Sequence, residues 1–370
     1  MLILVLGGYG HFGGRICRSL AHDGSLEVLV AGRSRMRAEA FIAAASPASG
    51  RMHALALDVT AADFAKGLRQ AHADVVIHAA GPFQGCDYRV AEAAMACGAH
   101  YIDLADAREF VANIAVLDPA ACNAGRWVIS GASSVPGLSA AVVQAHLPQF
   151  GRLEGVEVGI SPGNRTPRGE ATTRAILGYV GKRFASLDDG RWRDVHGWQS
   201  LRRIVYPDVG ARWLARCEVP DLSVLPQRYP QLRHCDFRAG LELRRMHFGL
   251  WLGSWLVRAG AVPGLQRWTR PLLRLSNLWL ETGSNIGVMH VDMHGSGHDG
   301  LALRLRWTIV ARDGDGPQIP CTAAILLAKK LAIGALPGAG ARPCLDLFTL
   351  DEFLQALHGY AIRTTLERLV

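Results

Sequence analysis

The chain lacks the signatures of several protein classes. Its eight cysteines are scattered, with no CxxC pair and no zinc-like spacing. That argues against a disulfide scaffold and for reduced thiols in a cytoplasmic protein. No run of eighteen uncharged apolar residues is present, so no transmembrane helix is expected. The opening apolar run has no basic segment before it and is short, which argues against a secretory signal. Lysine is scarce: Lys66, Lys182, Lys329 and Lys330 are the only lysines among 40 basic residues. Charged residues make up 19% of the chain and hydrophobic ones 49%. This balance excludes long disorder and lets 370 residues build two packed domains.

The positive charge is unevenly placed. The net charge is +8, and residues 151–280 hold 21 Lys and Arg against 11 Asp and Glu, with both flanking segments near neutral. An arginine-rich middle third fits a solvated basic surface, an anionic substrate, an anionic membrane or an acidic partner. No reader motif accompanies it, so no nucleic acid is expected.

What is present begins with Leu2 to Leu6, an apolar run of strand length that leads into Gly8-Tyr-Gly10-His-Phe-Gly13 and a helical segment from Arg15. Strand, glycine turn and helix in that order form a dinucleotide-binding pattern. Gly8 serves the tight turn, Gly10 the approach to a pyrophosphate, and Gly13 the packing of helix on strand. Tyr9, His11 and Phe12 lie within the same loop. The helix N-terminus offers N–H groups and a positive dipole end to phosphates.

Further strand-like runs at 26–31, 52–58, 74–79, 100–104 and 127–130 alternate with helical segments at 37–45, 62–71, 88–97 and 110–122. This alternation predicts a doubly wound parallel sheet, a Rossmann fold, over residues 1–150. From residue 151 the pattern changes to strands at 155–160, 200–206, 212–218, 233–237, 287–294 and 301–311, with helices at 170–180, 246–257 and 322–333. An α+β domain is expected over 151–345. A C-terminal helical segment at 351–358, within a tail of 346–370, is expected to dock on the first domain.

The second strand ends in Ala31-Gly32-Arg33-Ser34-Arg35. It carries no acid to hold a ribose 2′-hydroxyl, whereas Arg33 and Ser34, assisted by Arg35, suit a 2′-phosphate. NADP is favoured over NAD. Asp58, ending the third strand, either meets the adenine or caps the next helix in competition with Thr60. Ala80-Gly81-Pro82-Phe83 ends the fourth strand and is the candidate nicotinamide side of the cleft. Asp103 and Asp106 follow one strand later and are the candidates for proton transfer or for a substrate ammonium.

Gly8-Tyr-Gly-His-Phe-Gly13, Ala80-Gly-Pro-Phe83, Val90-Ala-Glu-Ala-Ala94 leading to Gly98-Ala-His-Tyr-Ile-Asp103-Leu-Ala-Asp106, and Ser134-Val-Pro-Gly-Leu138 resemble the saccharopine dehydrogenase-like NAD(P)-dependent oxidoreductases. The resemblance covers residues 1–145. It implies a Rossmann domain followed by an α+β domain that contributes substrate contacts and dimerisation, and hence a homodimer. It also implies hydride transfer involving amino-acid imines, polyamine precursors or, in lipid-linked branches, enoyl groups. One departure stands out. Saccharopine-forming members carry an acid shortly after their Pro-Gly, where this chain has Leu138-Ser139.

In the second domain, strand alternation puts His290, Asp292 and His294 on one face. That is a half-buried strand's ordinary pattern, so no metal is expected. Arg174 is a candidate for an anionic substrate group and His196 a candidate acid. Residues 246–280 carry tryptophans and arginines at helical spacing. Core or dimer packing is the favoured reading, with peripheral contact to an anionic membrane as the alternative. The function expected is that of an NADP-dependent oxidoreductase acting on a small, anionic imine or carbonyl substrate. The alternatives are an enoyl or lipid-linked reductase at a membrane surface and a non-catalytic NADP-binding protein.

Overall fold

In the computed structural model, which describes residues 1–45 and 48–369, the chain divides into two units. The first comprises Met1–Leu138 and Gln318–Ala356, the second Ser139–Pro317 and Leu357–Val370.

The first unit is built on β1 (Leu2–Leu6), β2 (Glu27–Gly32), β3 (Met52–Ala56), β4 (Val75–His78), β5 (His100–Asp103) and β6 (Trp127–Ser130). Together with a late strand, Gly340–Pro343, they form a seven-stranded sheet in the order β3-β2-β1-β4-β5-β6 followed by that late strand. Every pairing in it is parallel. The order reverses between β1 and β4, which makes the switch-point crevice of a doubly wound sheet. Its strands read as apolar runs because helices cover both faces. These helices are α1 (Gly13–Ala21), α2 (Arg35–Ala43), α3 (Phe64–Gln70), α4 (Arg89–Ala96), α5 (Arg108–Ala112) and α6 (Asp118–Ala124). The single helix expected at 110–122 is broken, because Pro119 lacks an N–H and opens α6 at its first turn.

The boundary differs from the expected one at residue 150. Helix α7 (Ser139–His146) belongs to the second unit, and the helix at Ile319–Ala332 belongs to the first. The latter buries Ile319, Cys321, Ala323, Ala324, Leu327 and Ala328. A helix so apolar requires cover on most sides, and Ala323 lies against Gly137. The expected terminal helix forms at Leu350–Ala356 in the first unit, but the chain then returns to the second as an edge strand, Ile362–Arg368.

The second unit holds a nine-stranded mixed sheet with α8 (Glu170–Tyr179) and α9 (Asp221–Arg228). Its strands are β7 (Arg152–Ser161), β8 (Arg183–Asp188), β9 (Arg191–His196), β10 (Arg202–Tyr206), β11 (Gly210–Arg216), β12 (His234–Ala239), β13 (Gly287–Ser296), β14 (Ala302–Ala311) and the edge strand. The order is β10-β11-β12-β7-β13-β14 and then the edge strand, with β8 and β9 as a hairpin beside β12. Helices α10 (Arg244–Arg258) and α11 (Thr269–Asn277) complete the unit.

Candidate functional site

The glycine turn is shaped for close approach. Gly7 has φ +77 and its N–H and that of Gly8 both donate to the Ala31 carbonyl at 2.9 Å. A Cβ on Gly10 would stand 3.0 Å from the Gly7 oxygen. One on Gly13 would stand 2.8 Å from the Gly7 carbonyl carbon and overlap its oxygen. The first helix can start against the strand because Gly13 carries no Cβ. No side chain caps α1; the Gly14 and Arg15 N–H groups donate to the Gly10 and Phe12 carbonyls at 3.0 Å, and the positive end of the helix dipole faces the turn. His11 and Phe12 form an edge-on pair at 4.9 Å. Arg15 donates to the His11 carbonyl at 2.7 Å. Burial, then the Arg15 charge, lowers the His11 pKa.

The end of β2 gathers the adenosine-side candidates. The Tyr9 hydroxyl accepts from the Ser34 N–H at 3.1 Å, and its ring lies so close to Gly32 that a Cβ there would come within 2.5 Å. Ser34 caps α2 by accepting from the Arg37 N–H at 3.3 Å, which leaves the hydroxyl proton to donate. Arg33 is exposed beside it. Arg35 turns away: its guanidinium pairs with Glu39 at 2.9 Å on the outer face of α2. Arg37, which the sequence pattern did not single out, lies over the Tyr9 ring at 5.0 Å. Asp58 caps no helix, since α3 starts at Phe64. Its carboxylate accepts from the Thr60 N–H and hydroxyl at 3.0 and 2.8 Å. These bonds, with a smaller contribution from Arg33, hold it below the usual carboxylate range.

The nicotinamide-side loop touches the glycine turn. A Cβ on Gly7 would meet the Ala79 and Ala80 backbone at 3.2 Å. Gly81–Pro82 is a cis peptide. Phe83 is buried against the His78 ring at 4.8 Å and Phe110 at 5.4 Å. His78 was not expected as a site residue, because it ends an otherwise apolar strand. Its Nδ1 meets the Tyr101 hydroxyl at 3.0 Å, and burial lowers its pKa to about 4.

The two candidate acids separate here. Asp103 is fully buried. Its Oδ1 accepts from the N–H groups of Ala105 and Gly131 and from the Ser130 hydroxyl at 2.8–2.9 Å. Burial raises its pKa to about 6 against these bonds. Through Oδ1 this enclosed carboxylate ties the ends of β5 and β6 together. Asp106 is half-buried, and its carboxylate accepts from the Gln84 amide at 3.1 Å. Burial raises its pKa, and Gln84 opposes the rise. Gln84 directly follows the Ala80–Phe83 loop, so Asp106 is the carboxyl tied to the strand-end crevice.

In the second unit, His290 and Asp292 of this face are buried and His294 is half-buried. Glu157, Asp236, Arg238, His290 and Asp292 are all under 9% exposed. Gly155 and Gly159 lie opposite His294 and His290, and a Cβ at either glycine would overlap the facing imidazole. Arg306 binds Asp292 through two bonds at 2.6 and 2.7 Å, Arg238 binds Asp236 at 2.8 Å, and Arg202 binds Glu157. Ligand-type atoms of Glu157, His290 and Asp292 lie within 4.8 Å of one another, as do those of Glu157, His234 and Asp236. The positive charge at both clusters is supplied by arginine. Burial raises the Glu157 pKa, but His234, Arg202 and Arg238 outweigh it and hold the carboxyl at about 2.

The candidates Arg174 and His196 lie in the second unit. Arg174 pairs with Glu170 at 3.2 Å in an exposed helical step. His196 ends β9 across from Arg183. Burial, then the charges of Arg258 and Arg183, lowers its pKa. Asp221, which no sequence pattern flagged, is buried at the start of α9 and accepts from the Ser139 hydroxyl. Burial raises its pKa to about 7. The unfolded chain releases this proton near pH 4 and the folded chain near 7. Its contribution therefore falls as pH rises between those values and is level above. Asp221→Asn is expected to gain stability relative to the parent over that window, measured by urea unfolding from pH 4 to 8. A constant difference across the series would contradict the assignment.

Residues 3–130 match the family model of the saccharopine dehydrogenase NADP binding domain. A search of curated proteins found no match. Among solved structures, the chain resembles an apo saccharopine dehydrogenase (L-Glu forming) from Saccharomyces cerevisiae, with TM-score 0.68 and 14% identity over 99% of each chain. It also resembles a homospermidine synthase from Legionella pneumophila solved with NAD, with TM-score 0.61 and 11% identity over 100% of this chain and 92% of that one. At these identities the likeness is one of fold, and it extends through both units. Among the described residues, no helix is long and apolar enough to cross a membrane.

Proposed function

We propose that this chain, whose residues 3–130 match the saccharopine dehydrogenase NADP binding domain, is an NADP-dependent oxidoreductase. It acts on a small anionic substrate of the imine or carbonyl class. The observation that carries the reading is the pairing of a turn closed to a Cβ at Gly13 and tight at Gly10 with an acid-free β2 end bearing Arg33 and Ser34. The turn admits a pyrophosphate to the backbone and α1. Arg33 and the Ser34 hydroxyl bind a 2′-phosphate by charge-assisted bonds.

Bound nicotinamide supplies the hydride chemistry. The chain's residues do the rest. Ala79, Ala80 and Gly81 carry at most a methyl group, which lets a ring approach the backbone. Asp106, held by Gln84 at 3.1 Å and with its pKa raised by burial, is suited to keep a proton for a substrate nitrogen or oxygen. The arginine surplus of residues 151–280 supports an anionic substrate.

Arg33→Ala tests the cofactor assignment. A charged hydrogen bond is worth about 1.5–3 kcal/mol, so NADPH affinity should fall roughly 10- to 100-fold while NADH affinity stays nearly constant. Fluorescence titration with both nucleotides reads the difference, and equal losses would remove Arg33 from the 2′-phosphate site.

A further inference from the structure

Helices α10 and α11 carry their residues the wrong way round for helices facing water. The residues they bury include His247, Ser254, Thr269 and Ser276. Beside exposed arginines, these helices and the residues flanking α11 expose large apolar side chains: Leu252, Trp255, Leu256, Trp268 and Leu278 are 59, 45, 52, 56 and 75% exposed. On α10, Gly249, Leu252, Leu256 and Ala259 follow at steps of three and four, all exposed, with Trp255 alongside. That spacing makes one continuous apolar stripe. The turn after it, Ala259-Gly-Ala-Val-Pro-Gly264, has no polar side chain. Residues 261–264, with Arg267 and Trp268, line a cavity of about 480 Å³. A contiguous exposed apolar surface of this kind marks a docking site.

Charge identifies the partner. No Asp or Glu occurs between Glu242 and Glu281, while Arg244, Arg245, Arg258, Arg267, Arg270 and Arg274 all fall there. Arg244, Arg267 and Arg274 are exposed and make no ion pair among the described residues. Arg258 lies over the Trp255 ring at 5.0 Å, and Arg245 over Trp279 at 4.5 Å. A second copy of the same face would set arginine against arginine, so self-association is disfavoured. Exposed tryptophan beside arginine suits the headgroup level of a bilayer, where the ring is half-immersed and the guanidinium meets lipid phosphate. We propose that the α10–α11 face docks on an anionic lipid bilayer, lying in its surface without crossing it. This inference stands apart from the cofactor assignment.

The test is co-sedimentation of the full chain with phosphatidylcholine vesicles, with and without phosphatidylglycerol. The protein should pellet with the anionic vesicles, remain in solution with the neutral ones, and be released by salt. Trp255→Ser combined with Leu256→Ser, and separately Arg267→Glu combined with Arg274→Glu, should each weaken binding more than about tenfold. Their thermal melts should match the parent, because all four side chains are exposed. NADPH affinity should be unchanged in both variants, so loss of one property without the other separates this surface from the cofactor site. The proposal is overturned if the parent stays in solution with anionic vesicles, or if binding ignores both pairs of substitutions. It is also overturned if sedimentation velocity reveals a dimer that the substitutions split.

Discussion

Gly13→Ala should abolish dinucleotide binding. The added carbon would stand 2.8 Å from the Gly7 carbonyl carbon and overlap the Gly7 oxygen. Both obstacles are backbone, so no side chain can rotate aside. Either α1 retreats from β1 or the turn opens. Each outcome removes the N–H groups of the helix start from the pyrophosphate. Overpacking of this kind costs about 1–3 kcal/mol of stability, occasionally more, and NADPH affinity should fall by more than about a hundredfold. Gly24→Ala is the control, because its Cβ would meet only the Arg51 guanidinium at 3.7 Å, an ordinary contact. Calorimetric titration of both variants reads the contrast. Equal affinities would mean that the turn does not carry the cofactor.

The second large effect is expected far along the chain, at Glu157. This carboxylate sits in the middle of the buried polar face, bonded to Arg202, with His234 Nε2 at 3.7 Å and the Arg238 charge nearby. Glu157→Gln preserves shape and removes the charge. Arg202 is exposed and falls back on water, while Arg238 keeps Asp236 and His234 keeps Asp188, so the loss should be that of a charged hydrogen bond, about 1.5–3 kcal/mol. Urea unfolding at neutral pH measures the loss. The sign of its pH dependence follows from the depressed pKa. The native carboxyl titrates at about 2, below its unfolded value, so its stabilisation is complete above roughly pH 4.5 and is lost as pH falls through 2. The gap between parent and variant should therefore close in acid. His234 should also titrate lower in the variant, because its hydrogen bond to Glu157 is the leading cause of its raised pKa. A loss below about 1 kcal/mol, the range of exposed pairs, would mean that the network is solvated.

The first unit was legible because its signals are local. An apolar strand, a glycine turn and a helix start lie within Leu2–Ala21, and the acid-free end of β2 is read directly at Arg33. The burial of Asp103 was not legible, because Ser130 and Gly131, which enclose it, arrive from another strand. The hairpin of β8 and β9 carried a readable signal. Asp189 and Gly190 both have positive φ at its turn, the two-residue pattern that joins antiparallel strands. The first four residues of β9, Arg191-Trp-Arg-Asp194, are all exposed, three of them are charged, and they offer no apolar alternation. The helix at Ile319–Ala332 was foreseen as a helix but placed in the wrong unit. Periodicity describes how much of a helix must be covered and says nothing of what covers it. The same limit applies to α10, whose spacing was plain from sequence while its outward apolar face was not.

We assign the first unit to NADP on Arg33, Ser34 and the missing acid at the end of β2. The most direct measurement is titration of the parent protein with NADPH and NADH under identical conditions. An Arg33–Ser34 site without a β2 acid predicts NADPH binding at least about tenfold tighter. NADH binding as tightly or more tightly would contradict it.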